Sequence, residues 1–537
     1  MSAVPDRLGI GSRRALLLGV TFVVAFCSIA YELVYSELLR MVFGGTVVRY
    51  SITIGLFLFS LGVGAILFNY LDIDRQDFFR VEIGLAVVGP LGLVGVMLLN
   101  TFVVPRPWTG GLDPIVAELV LWTSHVPIVV VGLLSGIEVP FLASMVETDH
   151  SAFSEVLGID YVGSLAGTLV WALVLYPMVG LVAAVFLLGL LNALVAIGFR
   201  LHFGEGSRVL LALSLVLVAG YAGVLVFDET VEESLTQTYL EREIESEYRA
   251  GMVDVEITNQ FTTQYQEVLV YERTRAKFDR TETCMRLDMQ RQLCDSWANS
   301  YHSGLVDVPM TTLEDPQNAS VLLVGGGDWI AIDHLRKYGV AIDHVDIDRE
   351  FMEYAKDAPL LERFHDDAYR YDRLNTTYAD AYDYLRRTDR QYDAIFLDVP
   401  GARSDDMLPL YSEEFYRLLG QHLTERGIVA TWVYDQNRFP RHNKAYHNTV
   451  TAAGFDHYLP YRSVDQLDDT PSIDTGERYY LLAPGERPGL QPNSSQSAYV
   501  RRYAGEFTDA GWRETPTYRG VRPNSVVHPN YDIIVDS

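Results

Sequence analysis

The hydropathy of the chain changes character near residue 228. Before it, apolar runs of about 20 residues, the length that crosses the hydrocarbon core of a bilayer, alternate with short polar connections. Seven such runs are predicted, at Ala15–Leu33, Ile52–Tyr70, Ile83–Val104, Ile115–Val139, Tyr161–Leu175, Leu181–Phe199 and Val209–Phe227, so that residues 1–230 form a multi-pass α-helical membrane domain. Tyr176-Pro177-Met178-Val179-Gly180 reads as a tight turn between the fifth and sixth. The first run is not a cleavable leader, because no small-residue site ends it and further spans follow. Residues 231–260 read as a Glu-rich linker, helical in places (Leu240–Ile244), and Tyr265–Tyr271 and Met285–Asp288 alternate like the strands of a small β-hairpin subdomain over 261–312. From 313 to 490 the apolar runs Val321–Val324, His344–Ile347, Ala394–Leu397 and Ile428–Val433 alternate with helical stretches at Ile330–Tyr338, Glu350–Lys356 and Glu413–Leu423. Strand alternating with helix predicts a Rossmann-like α/β domain built on a doubly wound parallel sheet. A C-terminal extension, 491–537, follows.

Charge sharpens this division. Most of the net charge of −27 lies beyond residue 228, with only four lysines, Lys277, Lys337, Lys356 and Lys444. A field this acidic repels nucleic acid, so no nucleic-acid partner is expected. Acid excess with few lysines is also what a surface solvated in concentrated salt looks like, where screening removes the self-repulsion, and a halophilic archaeon is the expected source. An acidic site for a polycation is a second reading, compatible with the first. Three cysteines are too few for a disulfide framework or a zinc site, and no metal is expected. Cys27 lies in an apolar helix as core, whereas Cys284 and Cys294 lie symmetrically about Met289, as a cross-strand disulfide would.

Acids interrupt the apolar runs at Glu32, Glu138 and Asp160. Intramembrane charge is costly, so each is a functional candidate by default. The plainer reading, a helix-end acid within reach of headgroups and water, is preferred for Asp160 and level with the functional one for Glu138, which Pro140 follows.

In the soluble half the first predicted strand runs directly into Gly325-Gly326-Gly327-Asp328, and Asp346 closes the second, 21 residues after Gly325. Glycines let backbone approach a ligand, and an acid at the end of the second strand grips ribose hydroxyls, so this is the arrangement of a nucleoside site. Neither the Gly-x-Gly-x-x-Gly spacing nor a Walker lysine is present, which argues against dinucleotides and nucleoside triphosphates. Asp398 ends another apolar strand at the carboxyl edge, where such sheets place their ligands; the plainer alternative is an aspartate that caps the next turn.

The ordered series Gly325-Gly326-Gly327-Asp328, Val345-Asp346-Ile347-Asp348, Asp380-Ala381, Tyr392–Asp398 and Leu410–Tyr416 resembles the polyamine aminopropyltransferases, the spermidine synthase family. Tyr265-Gln266, Leu287-Asp288 and Tyr301-His302 extend the likeness to residues 260–485, and the Tyr-Glu-Leu and Gly-Ile-Glu-Val-Pro segments of the apolar half resemble that family's membrane-bound branch. The resemblance implies a fold of the S-adenosylmethionine methyltransferase type and decarboxylated S-adenosylmethionine as co-substrate. It implies that Gln266, Gly325, Gly326, Gly327, Asp346, Asp380 and Ala381 hold the donor nucleoside, with Asp346 on the ribose and Asp380 on the adenine. It further implies that Tyr301, His302 and Asp328 touch the amine or aminopropyl portion and that Asp398 is the general base. Donor and acceptor are both cationic, so carboxylates supply the binding and one of them takes the proton of the attacking ammonium.

The sequence departs from the family where a second aspartate normally follows the base: that place is Gly401. Trp329 and Ala381 stand where glycines are usual, and Asp405 or Asp406 is the candidate to compensate. The acceptor is therefore left open as a polyamine or other small amine. An S-adenosylmethionine-dependent methyltransferase and a non-catalytic polyamine transporter or sensor are the alternative readings. A homo-oligomer and contact with membrane lipid are also expected. Seven spans put the chain ends on opposite faces, and the arginines Arg7, Arg13, Arg14, Arg75, Arg80, Arg200 and Arg208 against Arg40, Arg49 and Arg106 place the soluble domain outside. Supply of a cytosolic donor is taken as the harder constraint, and the soluble domain is expected in the cytoplasm beneath the plasma membrane. An eighth span, made by a turn at Pro127 or Pro140, would reconcile the two arguments.

Overall fold

The structure is a computed structural model, and it describes residues 10–43, 47–103, 114–146, 150–203, 207–227, 234–235, 237–238, 241, 253–275, 280–288, 290–467, 470–472 and 476–535. Val104, Arg7, Arg106, Met289 and most of the Leu240–Ile244 stretch fall outside these. The chain divides into two compact units, Met1–Glu256 with Arg275–Asp279, and Ile257–Thr274 with Arg280–Ser537.

The first unit is helical: α1 (Ile10–Phe43), α2 (Val47–Phe68), α3 (Arg75–Val103), α4 (Pro114–Ser124), α5 (Val126–Met145), α6 (His150–Val170), α7 (Leu181–Phe203) and α8 (Arg208–Val226). Among the described residues seven runs are long and apolar enough to cross a bilayer. The stretch Glu118–Met145 is a single one of them. His125 keeps helical backbone angles, φ −86° and ψ −10°, between α4 and α5, and Pro140 lies inside α5, so this stretch does not turn back at either proline and supplies no eighth apolar run among the described residues. The expected tight turn at Tyr176–Gly180 is also corrected. Trp171–Val179 continue α6 as a wide π-helix that ends only at Gly180, whose φ of +83° a side chain would resist. Helices begin earlier than the apolar runs because their polar first turns are helical too; α3 starts at Arg75 and not Ile83, which draws Glu82 two turns inside.

Glycine pairs spaced four apart allow close helix packing. A Cβ on Gly136 would overlap the Leu61 carbonyl and one on Gly132 would stand 2.8 Å from the Phe57 carbonyl, bringing α5 onto α2. Gly163 and Gly167 do the same for α6 against Phe22 and Phe26 of α1.

The second unit carries two sheets and a small two-stranded ribbon, except that Val253–Glu256 and Arg275 of the smaller sheet count with the helical unit. β1 (Val253–Thr262), β2 (Glu267–Arg275), β3 (Arg280–Leu287) and β4 (Gln290–Cys294) neighbour one another in chain order. Where a hairpin was expected the chain forms a four-stranded sheet, and β1 is taken from the segment read as linker. β2 starts two residues later than expected, which leaves Tyr265 and Gln266 in the turn before it. Cys284 stands opposite Cys294 across β3 and β4, and the two are disulfide-bonded.

The larger sheet adds β5 (Ser320–Gly325), β6 (Ala341–Asp346), β7 (Leu374–Tyr378), β8 (Tyr392–Asp398), β9 (Leu423–Trp432), β10 (His457–Arg462), β13 (Arg478–Ala483) and β14 (Arg513–Glu514) in the order β14-β10-β13-β9-β8-β5-β6-β7, while β11 (Asp465–Leu467) and β12 (Thr470–Ser472) form the ribbon. Strands β9-β8-β5-β6-β7 are parallel, but β13 pairs antiparallel with β9, and β10 antiparallel with both β13 and β14. The sheet is therefore mixed, and the wholly parallel expectation is corrected. Its central strands are apolar throughout because both faces are covered. Val321 and Leu323 of β5, with Ala394 and Phe396 of β8, enter one core, and Leu322, Val324, Ile395 and Leu397 enter the other. The C-terminal segment is part of this fold and not an appendage. Asn524, fully buried, donates to the carbonyls of Leu408 (2.9 Å) and Tyr411 (3.0 Å), and the Val535 amide donates to Ala402 O (2.8 Å), so the segment braces the loop after β8.

Candidate active site

The parallel order sends the carboxyl ends of β5, β6, β7 and β8 to one edge, and the sequence places an acid or a glycine turn at each. Gly325 is the register partner of Asp398. Its φ of +76° and the Asp398 carbonyl that a Cβ would overlap both demand glycine, and the Gly326 amide donates to that same carbonyl at 3.0 Å. Gly327 faces Asp346, whose Oδ2 would lie 3.0 Å from an added Cβ. The three glycines thus make a cradle between the ends of β6 and β8. Trp329 follows in the left-handed region, φ +67°, where glycine is the easier residue. Its indole offsets that cost: the ring is buried and its N–H donates to Met352 O at 2.9 Å.

Asp346 ends β6 with Oδ1 accepting the Asp348 amide at 2.8 Å. Burial, opposed by that amide and reinforced by Asp348, Asp398 and Asp328, pushes its carboxyl up to about 7. Gln266 reaches this edge from the β1–β2 turn, its amide donating to Asp348 Oδ2 at 2.8 Å, and Thr263 donates to the same oxygen at 2.7 Å. Asp380 stands two residues beyond β7 and caps the helix Ala381–Arg387 by accepting the Asp383 amide at 3.1 Å; Ala381 begins that helix, buried. The Ala379 amide donates to Asp346 O at 3.0 Å, which ties the two acid-bearing strand ends together.

The other side of the cradle is His302 and its neighbours. The His302 Nε2 lies 3.6 Å from both Asp328 Oδ2 and Asp398 Oδ2, and its Nδ1 bonds to Ala298 O at 2.7 Å. Burial disfavours a charged ring, but Asp328 and Asp398 outweigh it and raise His302 to about 9. Tyr301 donates its hydroxyl to Asp398 Oδ1 at 2.8 Å, and Tyr479 fixes the Tyr301 backbone through a bond to its carbonyl at 2.9 Å. Asp328 accepts the Ile330 amide at 3.0 Å; its carboxyl is pushed up by burial, with His302 pulling the other way. His302, Asp328 and Asp398 present ligand atoms within 4.8 Å of one another, a spacing that suits an ammonium group held between carboxylates as well as a metal ion. Tyr301, His302, Asp328 and Asp398 thus converge at one point, and Gln266, the glycines, Asp346 and Asp380 line the adjoining edge.

Residues the sequence did not single out close the end beyond Asp398. A Cβ on Gly401 would overlap the Tyr434 hydroxyl and sit 3.1 Å from Trp432 Cη2. The space of the absent side chain is filled by these rings. Trp432 donates to Val399 O (2.9 Å), and Arg403 donates to the Tyr434 hydroxyl (3.4 Å). Asp405 lies near Tyr531 of the C-terminal segment. An aromatic-rich run after a strand was the available signal for Trp432 and Tyr434, but only the fold brings them to Gly401.

This constellation defines a class: an α/β domain with a mixed sheet, whose strand ends gather a glycine turn and a cluster of buried acids around His302. Residues 298–454 match the spermine/spermidine synthase domain. The chain is 30% identical to polyamine aminopropyltransferase 1 of Streptomyces coelicolor, over 90% of this chain and 85% of that one. It is 28% identical to polyamine aminopropyltransferase 1 of Ralstonia nicotianae, over 99% of this chain and 95% of the relative, so the apolar helices lie inside the region of similarity. Spermidine synthase from Thermotoga maritima is a structural neighbour at 19% identity and a TM-score of 0.34, covering 49% of this chain and 80% of that one. The chain belongs to the spermidine synthase (polyamine aminopropyltransferase) family.

Proposed function

We propose that the chain is a membrane-tethered aminopropyltransferase that moves the aminopropyl group of decarboxylated S-adenosylmethionine to an amine and releases methylthioadenosine. The observation that carries this reading is the convergence of Asp328, Asp398 and His302 beside a glycine cradle that ends at Asp346. The donor nucleoside lies along Gly325–Gly327, with its ribose on Asp346 and its base toward Asp380 and Ala381; Gln266 positions this edge through Asp348. The acceptor ammonium enters between Asp328 and Asp398. Asp398 takes its proton, the freed lone pair attacks the carbon next to sulfonium, and the carbon–sulfur bond breaks as the new carbon–nitrogen bond forms. The hydrogen bond from Tyr301 fixes which Asp398 oxygen stays free to act. His302, raised by Asp328 and Asp398, is a cation that partly neutralises the paired carboxylates, a role the cationic substrates share once bound. Positioning supplies most of the remainder, since the leaving group is already activated.

An intact S-adenosylmethionine brings an additional carboxylate into a pocket walled by aspartates, which disfavours the methyltransferase reading. Isothermal titration of the purified chain tests this: affinity for the decarboxylated donor at least tenfold above that for the intact one is expected, and the reverse order would overturn the assignment. Gly401, with Tyr434 and Trp432 in the vacated space, argues against a diamine gripped at both ends as the acceptor.

The helical unit crosses the membrane seven times in this reading, with lipid around it. Supply of the donor puts the soluble unit in the cytoplasm. With no eighth span, that placement sends the amino terminus outside against the arginine bias, and puts Cys284 and Cys294 in a reducing compartment. We retain it because an aminopropyltransferase without donor does nothing. The acidic, lysine-poor surface is read as adaptation to salt.

A further inference from the structure

The helical unit holds a polar cluster that aminopropyl transfer does not use. Glu82 of α3, Glu138 of α5 and Asn192 of α7 are all buried, at 0%, 2% and 0% exposure. Asn192 donates its amide to Glu82 Oε2 at 2.9 Å, and the Glu138 carboxyl lies beside that of Glu82. Two buried carboxyls side by side hold at least one proton between them, and the singly protonated pair carries one negative charge. Four oxygens here have no partner: Glu82 Oε1, Glu138 Oε1, Asn192 Oδ1 and, one turn before Glu138, Ser135 Oγ. The Asn192 oxygen is the telling one. A fully buried amide whose other half is spent on Glu82 keeps its carbonyl unsatisfied, at a cost that a ligand donor would remove.

No cation among the described residues answers this charge. Arg14 pairs with Glu155, Arg40 with Glu37 and Arg80 with Asp77. The titratable groups facing the pair are Cys27 and Tyr31 of α1 and Asp160 of α6, with Tyr221 of α8 beyond Tyr31. None is cationic, and the hydroxyls of Tyr31 and Tyr221 are spent on the carbonyls of Leu85 and Ala86.

We propose that Glu82, Glu138 and Asn192 form a binding site inside the helical unit for an alkylammonium cation, such as one end of a protonated polyamine, taken in exchange for the proton the two carboxyls share. The inference rests on the reading that this unit crosses a membrane. An ammonium brings three N–H donors, which the unpartnered oxygens satisfy, whereas hard metal cations require six or more oxygens. The exchange balances: the protonated pair, with one negative charge, binds one ammonium, both carboxyls ionise, one proton leaves, and the site keeps a single negative charge. Constant charge is the condition for such a step inside an apolar bundle, where a net change is costly. The site is separate from the transferase pocket and gives the helical half a role in handling the amine.

The test uses the purified full chain in detergent, without donor, and tritiated spermidine in equilibrium dialysis with a pH indicator. The expected result is a class of bound spermidine that Glu82→Gln and Glu138→Gln each remove, one proton released per amine in that class, and affinity rising about tenfold per pH unit. Methylthioadenosine production is expected to be unchanged in both variants. Asn192→Leu, which leaves both charges, decides the matter if the acid variants aggregate: it should weaken the same class about tenfold. Spermidine binding in these variants equal to wild type, binding without proton release, or sodium-22 held there in place of spermidine would overturn the proposal.

Discussion

Replacing Gly401 by alanine asks one atom to enter a filled space. The new Cβ would overlap the Tyr434 hydroxyl, stand 2.7 Å from Tyr434 Cζ and 3.1 Å from Trp432 Cη2. Neither ring can withdraw freely. The Tyr434 ring lies 4.9 Å from Trp432, 5.1 Å from Phe439 and 4.9 Å from His442, centre to centre, and Trp432 is tied to Val399 O by its 2.9 Å hydrogen bond. Overpacking of this kind costs about 1–3 kcal/mol, and the strain falls three residues from Asp398. Gly401→Ala is therefore expected to lower the thermal midpoint of the soluble unit by several degrees. It should also lower kcat while donor affinity, set at the β6 edge, stays within about twofold. Tyr434→Phe removes the overlapping hydroxyl, so the double variant should recover part of both losses, a coupling that a double-mutant cycle measures. A Gly401→Ala chain with wild-type melting and wild-type kcat would refute the packing argument, and with it the reason given for the missing second aspartate.

Asp346→Ala should weaken donor binding by about 1.5–3 kcal/mol through loss of charge-assisted bonds to the ribose, read by titration with decarboxylated S-adenosylmethionine; an unchanged dissociation constant would remove the nucleoside-site reading. Because burial raises Asp346 to about 7, its ionised form is lost as pH falls through that value, so donor affinity in the wild type should decline below about pH 7 and be nearly flat there in Asp346→Ala. Tyr301→Phe deletes the 2.8 Å bond to Asp398 and should cut kcat by an amount equivalent to about 1.5–3 kcal/mol with little change in donor affinity, whereas equal loss in both would make Tyr301 merely structural. For sidedness, an impermeant maleimide applied to intact cells carrying Ser537→Cys should label only after lysis; rapid labelling before lysis would put the soluble unit outside.

What the sequence disclosed, and what it withheld, follows from range. Val321–Leu323 and Ala394–Phe396 are apolar on both faces, so a buried parallel strand announces itself, and the glycine run with Asp346 at its fixed distance locates the ligand edge within one βαβ unit. β1 was hidden because only Val253 and Val255 are fully buried in a strand that is otherwise half-exposed. The antiparallel strands β10 and β13 carry clear apolar runs at Tyr458–Tyr461 and Tyr479–Leu482, but pairing partners far along the chain are not written locally. The same applies to the C-terminal segment, which reaches its place through Asn524 and Val535 over separations of more than 100 residues. Glu82 is not legible as a buried acid in the sequence because it precedes the apolar run at Ile83; only the earlier start of α3 buries it.

The central claim is aminopropyl transfer with Asp398 as base, and turnover tests it most directly. The purified chain given decarboxylated S-adenosylmethionine and a panel of mono-, di- and polyamines should form methylthioadenosine with at least one acceptor. Asp398→Asn, with donor affinity intact, should lower that rate by about 10²–10⁴-fold, the usual contribution of a general base. Wild-type turnover in Asp398→Asn, or no methylthioadenosine from wild-type chain with any amine, would contradict the account.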